Sequence, residues 1–251
     1  MNRRHTTQSV SQLREIAALL FCGCLLSACG AASEPSAVDQ GRQLFESKAL
    51  SRSNLNDYTC ATCHDTEANT PPSKKSGGAL SGVTLRSRFW GGQQADLLGS
   101  INACRNYFMG DNQPLTASDA NARSLYAYLE SLEPGDANPI PFTIVTNIEP
   151  LARGDEARGQ VLYAQACLHC HGGTHDGLSR LSERIPIVPE DTLADPEHAA
   201  YSPRVQRLIF TEKIRHGLFL GYGGVMPPFS TELLSDAEVS DVLEALGVLG
   251  E

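Results

Sequence analysis

The sequence predicts an all-α fold built from two similar helical halves. A motif with two cysteines and a final histidine, CxxCH, occurs twice, as CATCH at 60–64 and CLHCH at 167–171. Each copy follows a short amphipathic segment of similar composition, at 41–45 and 159–163. Near the end of each half, apolar residues recur at intervals of three and four, which is helical spacing. Motif order and periodicity together predict a duplicated helical protein.

The first residues have the features of an export signal. The basic MNRR is followed by an uncharged apolar run, Ile16 to Ala28, that is too short to span a bilayer. The run ends in LSAC, which resembles the lipobox of bacterial lipoproteins. The resemblance implies a signal peptide at 1–28, cleavage before Cys29 and a lipid on the Cys29 thiol. The alternative is an ordinary signal peptide followed by a chance cysteine.

The charge of the chain limits its partners. The formal net charge is −9 at pH 7, and residues 1–28 carry more arginine than acid, so the remainder is more acidic still. This balance argues against binding to nucleic acid and favours positively charged partners. Residues 29–37 are predicted to be a flexible tether, and no later segment is long and apolar enough to cross a membrane.

The eight cysteines fall into distinct groups. Cys22 and Cys24 belong to the signal peptide, and Cys29 is assigned to the lipid. The two motifs contain the next four, which are Cys60, Cys63, Cys167 and Cys170. Cys104 is left over, so no partner remains for it in an intramolecular disulfide.

CxxCH is the attachment motif of c-type haem. Its spacing lets both cysteines form thioether bonds to the haem from one turn of chain, and the adjacent histidine then lies under the iron as proximal ligand. A single CxxC is also compatible with a redox disulfide or half of a zinc site. Both rivals require the two histidines to be accidental. The sequence therefore predicts two haem c groups, with His64 and His171 as proximal iron ligands.

The segments around the motifs follow one plan. Thr116–Asp119 and Ser235–Glu238 have the pattern of a helix-capping box, and each precedes a run with helical spacing. The order of N-terminal helix, CxxCH, middle helix, ligand loop and C-terminal helix resembles the class I cytochrome c domain, twice over. That resemblance implies two tandem domains, 38–133 and 151–251, each a small helical shell around one haem. The proline-rich stretch 134–150 is predicted to be a surface linker.

In the second half, Met226 matches the position of the family's distal iron ligand. It follows a glycine-rich loop, precedes Pro227 and lies before the final helix. A thioether ligand raises the reduction potential of the iron. Core packing is the alternative role for Met226, and His175 and His216 are rival ligands. His169 is expected to point away from the iron, and His198 is expected on the surface.

In the first half, two sulfur atoms compete for the same role. Residues 94–108 are predicted to be the middle helix, with Cys104 on its apolar face. Met109 follows where the helix should stop, so it lies where a distal methionine belongs. Sulfur-oxidising dihaem cytochromes such as thiosulfate dehydrogenases are similar in layout, and the similarity implies Cys104 as the ligand of a catalytic haem. Arg105 would then stabilise the thiolate or bind an anion, and otherwise it is a solvated helix residue. A vacant sixth position is a further possibility.

Two other features have provisional roles. Trp90, the only tryptophan, is expected to pack on the first haem rather than to relay electrons. Lys74 and Lys75 are expected in a solvated loop.

Two main functions are consistent with these observations. The first is an exported, lipid-anchored dihaem cytochrome c on the periplasmic side of a bacterial membrane, which transfers electrons between respiratory-type proteins with basic docking surfaces. The alternative is an enzyme of the thiosulfate dehydrogenase type, in which the first haem is catalytic and the second is the electron exit. A subunit of a larger redox complex is a third possibility. Fold resemblance alone does not separate them.

Overall fold

The computed structural model describes residues 34–67, 72–132, 137–220 and 224–250. These residues form helices and irregular segments, with two isolated β-bridges and no β-strand, so the predicted all-α fold is confirmed. Ser36–Glu251 is a single compact unit. In the described ranges, no helix combines the length and apolarity needed to cross a membrane. The predicted signal peptide and Cys29 lie outside the described residues.

Nine α-helices follow one another along the described chain. The first half (36–132) contains four and the second half (151–250) contains five. In order they are α1 Ala37–Glu46, α2 Cys60–Cys63, α3 Leu97–Tyr107, α4 Ala120–Glu130, α5 Glu156–Ala166, α6 Leu168–His171, α7 Glu190–Ala194, α8 Pro203–His216 and α9 Asp236–Ala245. Short 3₁₀ turns occur at Lys48–Leu50, Val83–Leu85 and Trp90–Gly92.

Several of these helices have a polar N-cap residue. Ser235 and Glu238 form the predicted capping box at α9, in which each side chain accepts a backbone N–H of the other residue. At α4 the prediction was wrong in position, because Thr116 and Asp119 form a turn and the helix begins only at Ala120. The Asp119 carboxylate binds Thr116 N–H, so its oxygen is used by the turn before the helix.

Each half is built on a crossing of its first and last long helices. In the first half, Gly41 of α1 lies so close to α4 that a Cβ there would be 2.0 Å from the Ser124 carbonyl oxygen. In the second half, a Cβ at Gly159 of α5 would be 1.9 Å from the Asp241 carbonyl oxygen of α9. Only glycine permits this approach of two backbones. The halves therefore repeat the same glycine-centred crossing.

A hydrophobic core surrounds each crossing. The first core includes Phe45, Val83, Met109, Leu125 and Leu129. The second core consists mainly of apolar side chains of α5, α8 and α9, and its most enclosed members are Val239, Val242, Leu243 and Leu234. Each CxxCH motif contributes to a core, since Cys60 packs on the first and Cys167 on the second.

Charged side chains join the two halves. Lys74 donates to Glu238 at 2.6 Å and to the Leu233 carbonyl at 2.8 Å. Arg184 of the second half donates to the Leu55 carbonyl and to Asp57 of the first. The expectation of a solvated loop at Lys74 was wrong, because the tertiary fold places acceptors from a distant part of the chain around its ammonium group.

Candidate haem centres

The first motif begins with a reciprocal cap. Thr59 N–H donates to the Thr62 hydroxyl at 3.0 Å, and Thr62 N–H donates to the Thr59 hydroxyl at 3.2 Å. These bonds satisfy backbone donors that the start of a helix leaves open. Because α2 is a single turn, the cap fixes Cys60 and Cys63 on one side of it, with His64 directly after.

Residues 73–80 close the other end of the first motif. Lys75 Nζ donates to the Ala61 carbonyl at 3.0 Å and pairs with Asp65 at 2.9 Å. Gly77 N–H donates to the Cys63 carbonyl at 2.8 Å, and a Cβ on Gly77 would be 2.3 Å from Cε1 of His64. The second predicted solvated lysine, Lys75, is therefore also part of the fold. It satisfies a carbonyl at the end of α2 and complements the helix dipole there.

The second motif is held by different groups. The Tyr163 hydroxyl donates to the Gly172 carbonyl at 2.8 Å, directly after the motif. His171 Nδ1 lies 3.0 Å from the Pro186 carbonyl oxygen. A carbonyl can only accept, so Nδ1 carries the proton and Nε2 keeps its lone pair. This hydrogen bond is the usual outer-shell partner of a metal-ligating histidine.

The motif thiols lie in apolar surroundings. Burial raises the pKa of Cys60, Cys167 and Cys170 to about 12, and it also raises the pKa of Cys63. Redox-active CxxC pairs have the opposite property, a low thiol pKa. At the second motif, an apolar wall with two thiols and a histidine whose Nε2 is available suits a covalently bound haem c.

Of the two candidate distal ligands of the first half, Met109 lies in the core and Cys104 lies near the motif thiols. Met109 is 4% exposed and belongs to the first core, directly after α3 ends. Burial, followed by the nearby Cys60 and Cys63, raises the pKa of the Cys104 thiol. The turn after Met109 has Gly110 at φ +64°, a conformation that favours glycine.

Arg105 has a position that neither sequence-based interpretation expected. It is buried, donates to the Leu50 carbonyl at 3.0 Å and to the Gln113 carbonyl at 2.7 Å, and pairs with Asp111 at 2.6 Å. The expectation of a solvated residue was wrong. The hydrogen bonds of the Arg105 guanidinium are directed at these acceptors, and none of them is made to the Cys104 thiol.

Met226 is partly buried and packs on the second core. Its carbonyl accepts from Leu218 N–H at 2.8 Å, and Phe229 N–H donates to the Ile214 carbonyl at 2.9 Å. These two bonds attach both sides of the Met226 segment to the end of α8.

The other histidines have protein partners. His175 is exposed and lies 2.6 Å from Glu190. His216 is buried, and its Nε2 lies 2.8 Å from the Val145 carbonyl oxygen of the linker. His198 was expected on the surface, but it is buried, with Nδ1 3.2 Å from the Thr192 carbonyl oxygen. Its position in a polar stretch of sequence gave no signal of this burial.

The second motif lies against the first half. Cys170 packs on the first core, together with Leu181. Burial, followed by the nearby Lys75 ammonium, lowers the pKa of His169. Lys75 also binds the carbonyl groups of the first motif, so the two attachment helices are neighbours.

An aromatic cluster, which no local sequence pattern indicated, joins the halves and the linker. Trp90 has φ +54°, and its ring centroid lies 4.9 Å from that of Phe219 and 6.0 Å from that of Tyr107. Phe142 of the linker packs on Phe219 at 6.1 Å. These rings border a groove of about 510 Å³. Trp90 thus contacts the second half, a contact between residues far apart in sequence.

A known protein family matches part of the chain. Residues 154–244 match the family model described as cytochrome C oxidase, cbb3-type, subunit III. None of the curated proteins matches. Among solved structures, the chain is similar to thiosulfate dehydrogenase (TsdBA) from Marichromatium purpuratum in its "as isolated" form, with 20% identity and a TM-score of 0.37. The similarity covers 84% of this chain but 45% of that one, so this chain spans less than half of that protein's length.

The family match falls on the half in which the His171 hydrogen bond and the Met226 segment are found. The duplicated motif and the apolar walls around its thiols extend the same chemistry to the first half. The fold and the family match together support haem c binding in a cytochrome c fold at residues 154–244.

Proposed function

We propose that this chain is an exported dihaem cytochrome c that relays electrons between redox proteins on the periplasmic side of a bacterial membrane. The contact between the two attachment helices carries the proposal, because Cys170 of the second motif packs on the core of the first. Two carriers attached at neighbouring helices pass electrons over a short distance. We assign the carriers to two class I cytochrome c domains, 38–133 and 151–251, joined by the linker 134–150.

The chain's own residues would hold each haem on both faces. When bound, haem c supplies an iron that carries one electron. Cys60 and Cys63 would attach one group and Cys167 and Cys170 the other, with His64 and His171 as proximal ligands. Met109 and Met226 would be the distal ligands and would raise the potentials.

The surroundings of Arg105 favour Met109 over Cys104. A thiolate needs nearby positive charge, and the Arg105 guanidinium is paired with Asp111 instead. Burial also favours the neutral thiol at Cys104. Met109 has a neutral thioether, so its burial in an apolar core does not carry the free-energy cost of burying a charge.

Export, anchoring and partners rest on the sequence. The signal peptide at 1–28 and the lipid on Cys29 would tether the protein to the membrane. A net charge of −9 favours basic docking surfaces on cytochromes or on oxidase and dehydrogenase subunits.

Haem content and electron exchange test this proposal. The full chain, matured with the cytochrome c machinery, should bind two haems, and Cys63→Ser and Cys170→Ser should each reduce the count to one. The reduced protein should transfer electrons to a basic cytochrome, faster at low salt than at high salt. A haem content of one in the unmodified protein, or electron transfer that does not depend on salt, would contradict it.

The position of Cys104 supports a second candidate function. Its thiol lies close to Cys60 and Cys63, where it could ligate a catalytic first haem. Two thiosulfate anions would then join through a new S–S bond and release two electrons, one to each haem. Thiosulfate-dependent reduction of the purified protein, lost in Cys104→Ser, would favour this function over electron relay alone.

A further inference from the structure

Two arginines occupy matching places in the halves. Arg105 lies in the last turn of α3, and Arg215 lies in the last turn of α8. Their residues are 2% and 1% exposed, respectively. A buried guanidinium is costly unless hydrogen bonds and a counter-charge compensate it. The partners of each arginine therefore indicate its structural role.

Arg105 binds the chain that follows Met109. It donates to the Gln113 carbonyl at 2.7 Å and pairs with Asp111 at 2.6 Å. Arg52 binds the same carboxylate from the other side, at 2.7 Å. The Ser51 hydroxyl donates to the Met109 carbonyl at 2.8 Å. The Met109 turn is therefore fixed from α3 and from residues 51–52.

Arg215 binds the chain that follows Met226. Its NH1 donates to the carbonyls of Phe229 at 3.2 Å, Ser230 at 3.3 Å and Leu234 at 2.6 Å. Its NH2 pairs with Asp236 at 2.5 Å. Because Leu218 N–H also binds the Met226 carbonyl, the Met226 segment is attached to the end of α8 at both of its ends.

The two arrangements share one geometry. In each half a buried arginine at the end of the middle helix binds at least one carbonyl group and one aspartate that follow the methionine in sequence. The two halves differ in spacing and in sequence around the arginine, so the shared element is the set of contacts.

We propose that Arg105 and Arg215 are paired positioning residues, each of which holds the methionine segment of its own half in place for axial ligation. The inference rests on the proposed ligation by Met109 and Met226. Arginine suits this role because its planar fork reaches several acceptors at once, whereas a lysine ammonium reaches fewer in a fixed geometry.

Conservative variants of the full, haem-loaded protein test the inference. Arg215→Lys keeps the charge but loses the fork, so the Met226 segment should dissociate from the iron more readily. Added imidazole should then bind the second haem about tenfold more tightly, as expected for the loss of charged hydrogen bonds. The methionine–iron charge-transfer band of that haem should weaken, while the first haem is unchanged. Arg105→Lys should do the same to the first haem alone.

Arg207 provides a matched control. It lies on α8 as well, is 5% exposed and donates to the carbonyls of Val248, Ala152 and Ser240, which are not in the Met226 segment. Arg207→Lys should lower Tm but leave the imidazole affinity of both haems unchanged. If Arg207→Lys raises the imidazole affinity as much as Arg215→Lys does, the effect is a general loosening of the fold, and the inference is overturned.

Met226→Ala distinguishes ligation by Met226 from the positioning role of Arg215. If Met226→Ala changes the spectrum of the second haem and Arg215→Lys leaves imidazole affinity unaltered, the positioning role is overturned and the ligation stands. If Met226→Ala leaves the spectrum unchanged, the proposed ligation of the second haem is wrong and the role of Arg215 falls with it. Met109→Ala makes the same separation for Arg105.

Discussion

The ammonium of Lys74 in the first half lies 2.6 Å from the carboxylate of Glu238 in the second half. Both side chains are partly buried, and Glu238 also completes the capping box of α9. One ion pair therefore joins the loop next to the first motif to the helix that closes the second half.

We expect this pair to contribute to stability against acid. Burial alone would raise the pKa of Glu238, but the hydrogen bonds from Lys74 and Ser235 outweigh it and lower the pKa. The carboxylate therefore stabilises the fold above its unfolded pKa, about 4.3, and that contribution is lost as the pH falls through the folded value. Lys74→Met should cost about 1 kcal/mol at pH 7 and much less at pH 3. Urea unfolding at both pH values measures the difference, and an equal loss at both would contradict it.

The glycine-centred helix crossings should tolerate no side chain. Gly159→Ala would place a Cβ 1.9 Å from a backbone oxygen of α9, and Gly41→Ala would do the same against α4. Because backbone cannot move aside like a flexible side chain, each variant should lose about 3 kcal/mol or more. Gly99→Ala in α3 is the control, since its Cβ would meet only side-chain atoms, Gln94 Oε1 at 3.1 Å and Asp96 Oδ1 at 3.3 Å. Thermal unfolding should show a large fall in Tm for the first two and little change for the third.

If the chain carries the two proposed haems, Lys75 should influence the first more than the second. Its ammonium binds the Ala61 carbonyl of the first attachment helix, and a positive charge near a haem favours the reduced state. Lys75→Met should therefore lower the midpoint potential of the first haem, with a smaller effect on the second. Lys74→Met is the matched control, because Lys74 binds Leu233 and Glu238 and not the motif. Spectroscopic redox titration measures the midpoint potentials of both haems. An equal shift of the first haem in the two variants would contradict a specific effect of Lys75.

The aromatic cluster should stabilise the contact between the halves. Trp90→Ala removes a partly buried ring that packs on Phe219 and Tyr107, and the loss of these aromatic contacts should cost about 1 kcal/mol or more. Leu85→Ala is the control, because Leu85 is exposed. Limited proteolysis should cut the linker around Phe142 faster in Trp90→Ala than in Leu85→Ala. Equal rates would show that the cluster does not hold the linker.

The sequence by itself determined the features that depend on residues close together along the chain. Each CxxCH motif spans one turn, so two thiols and a histidine are brought together by local geometry. The helical spacing of apolar residues predicted the long helices, and the capping box at Ser235 formed as its pattern indicated. Duplication was visible for the same reason, since both copies repeat local patterns in the same order.

Only the tertiary structure decided where the charged and aromatic side chains would go. Lys74, Lys75 and Arg105 have partners that are distant in sequence or lie in irregular turns, and His198 is buried although its neighbours are polar. The partner of Trp90, Phe219, is in the other half. A buried charge is stable only where acceptors converge on it, and acceptors from separate segments converge only once the chain has folded. Arg105, an ambiguous helix residue in the sequence, is for that reason part of the support of the Met109 turn.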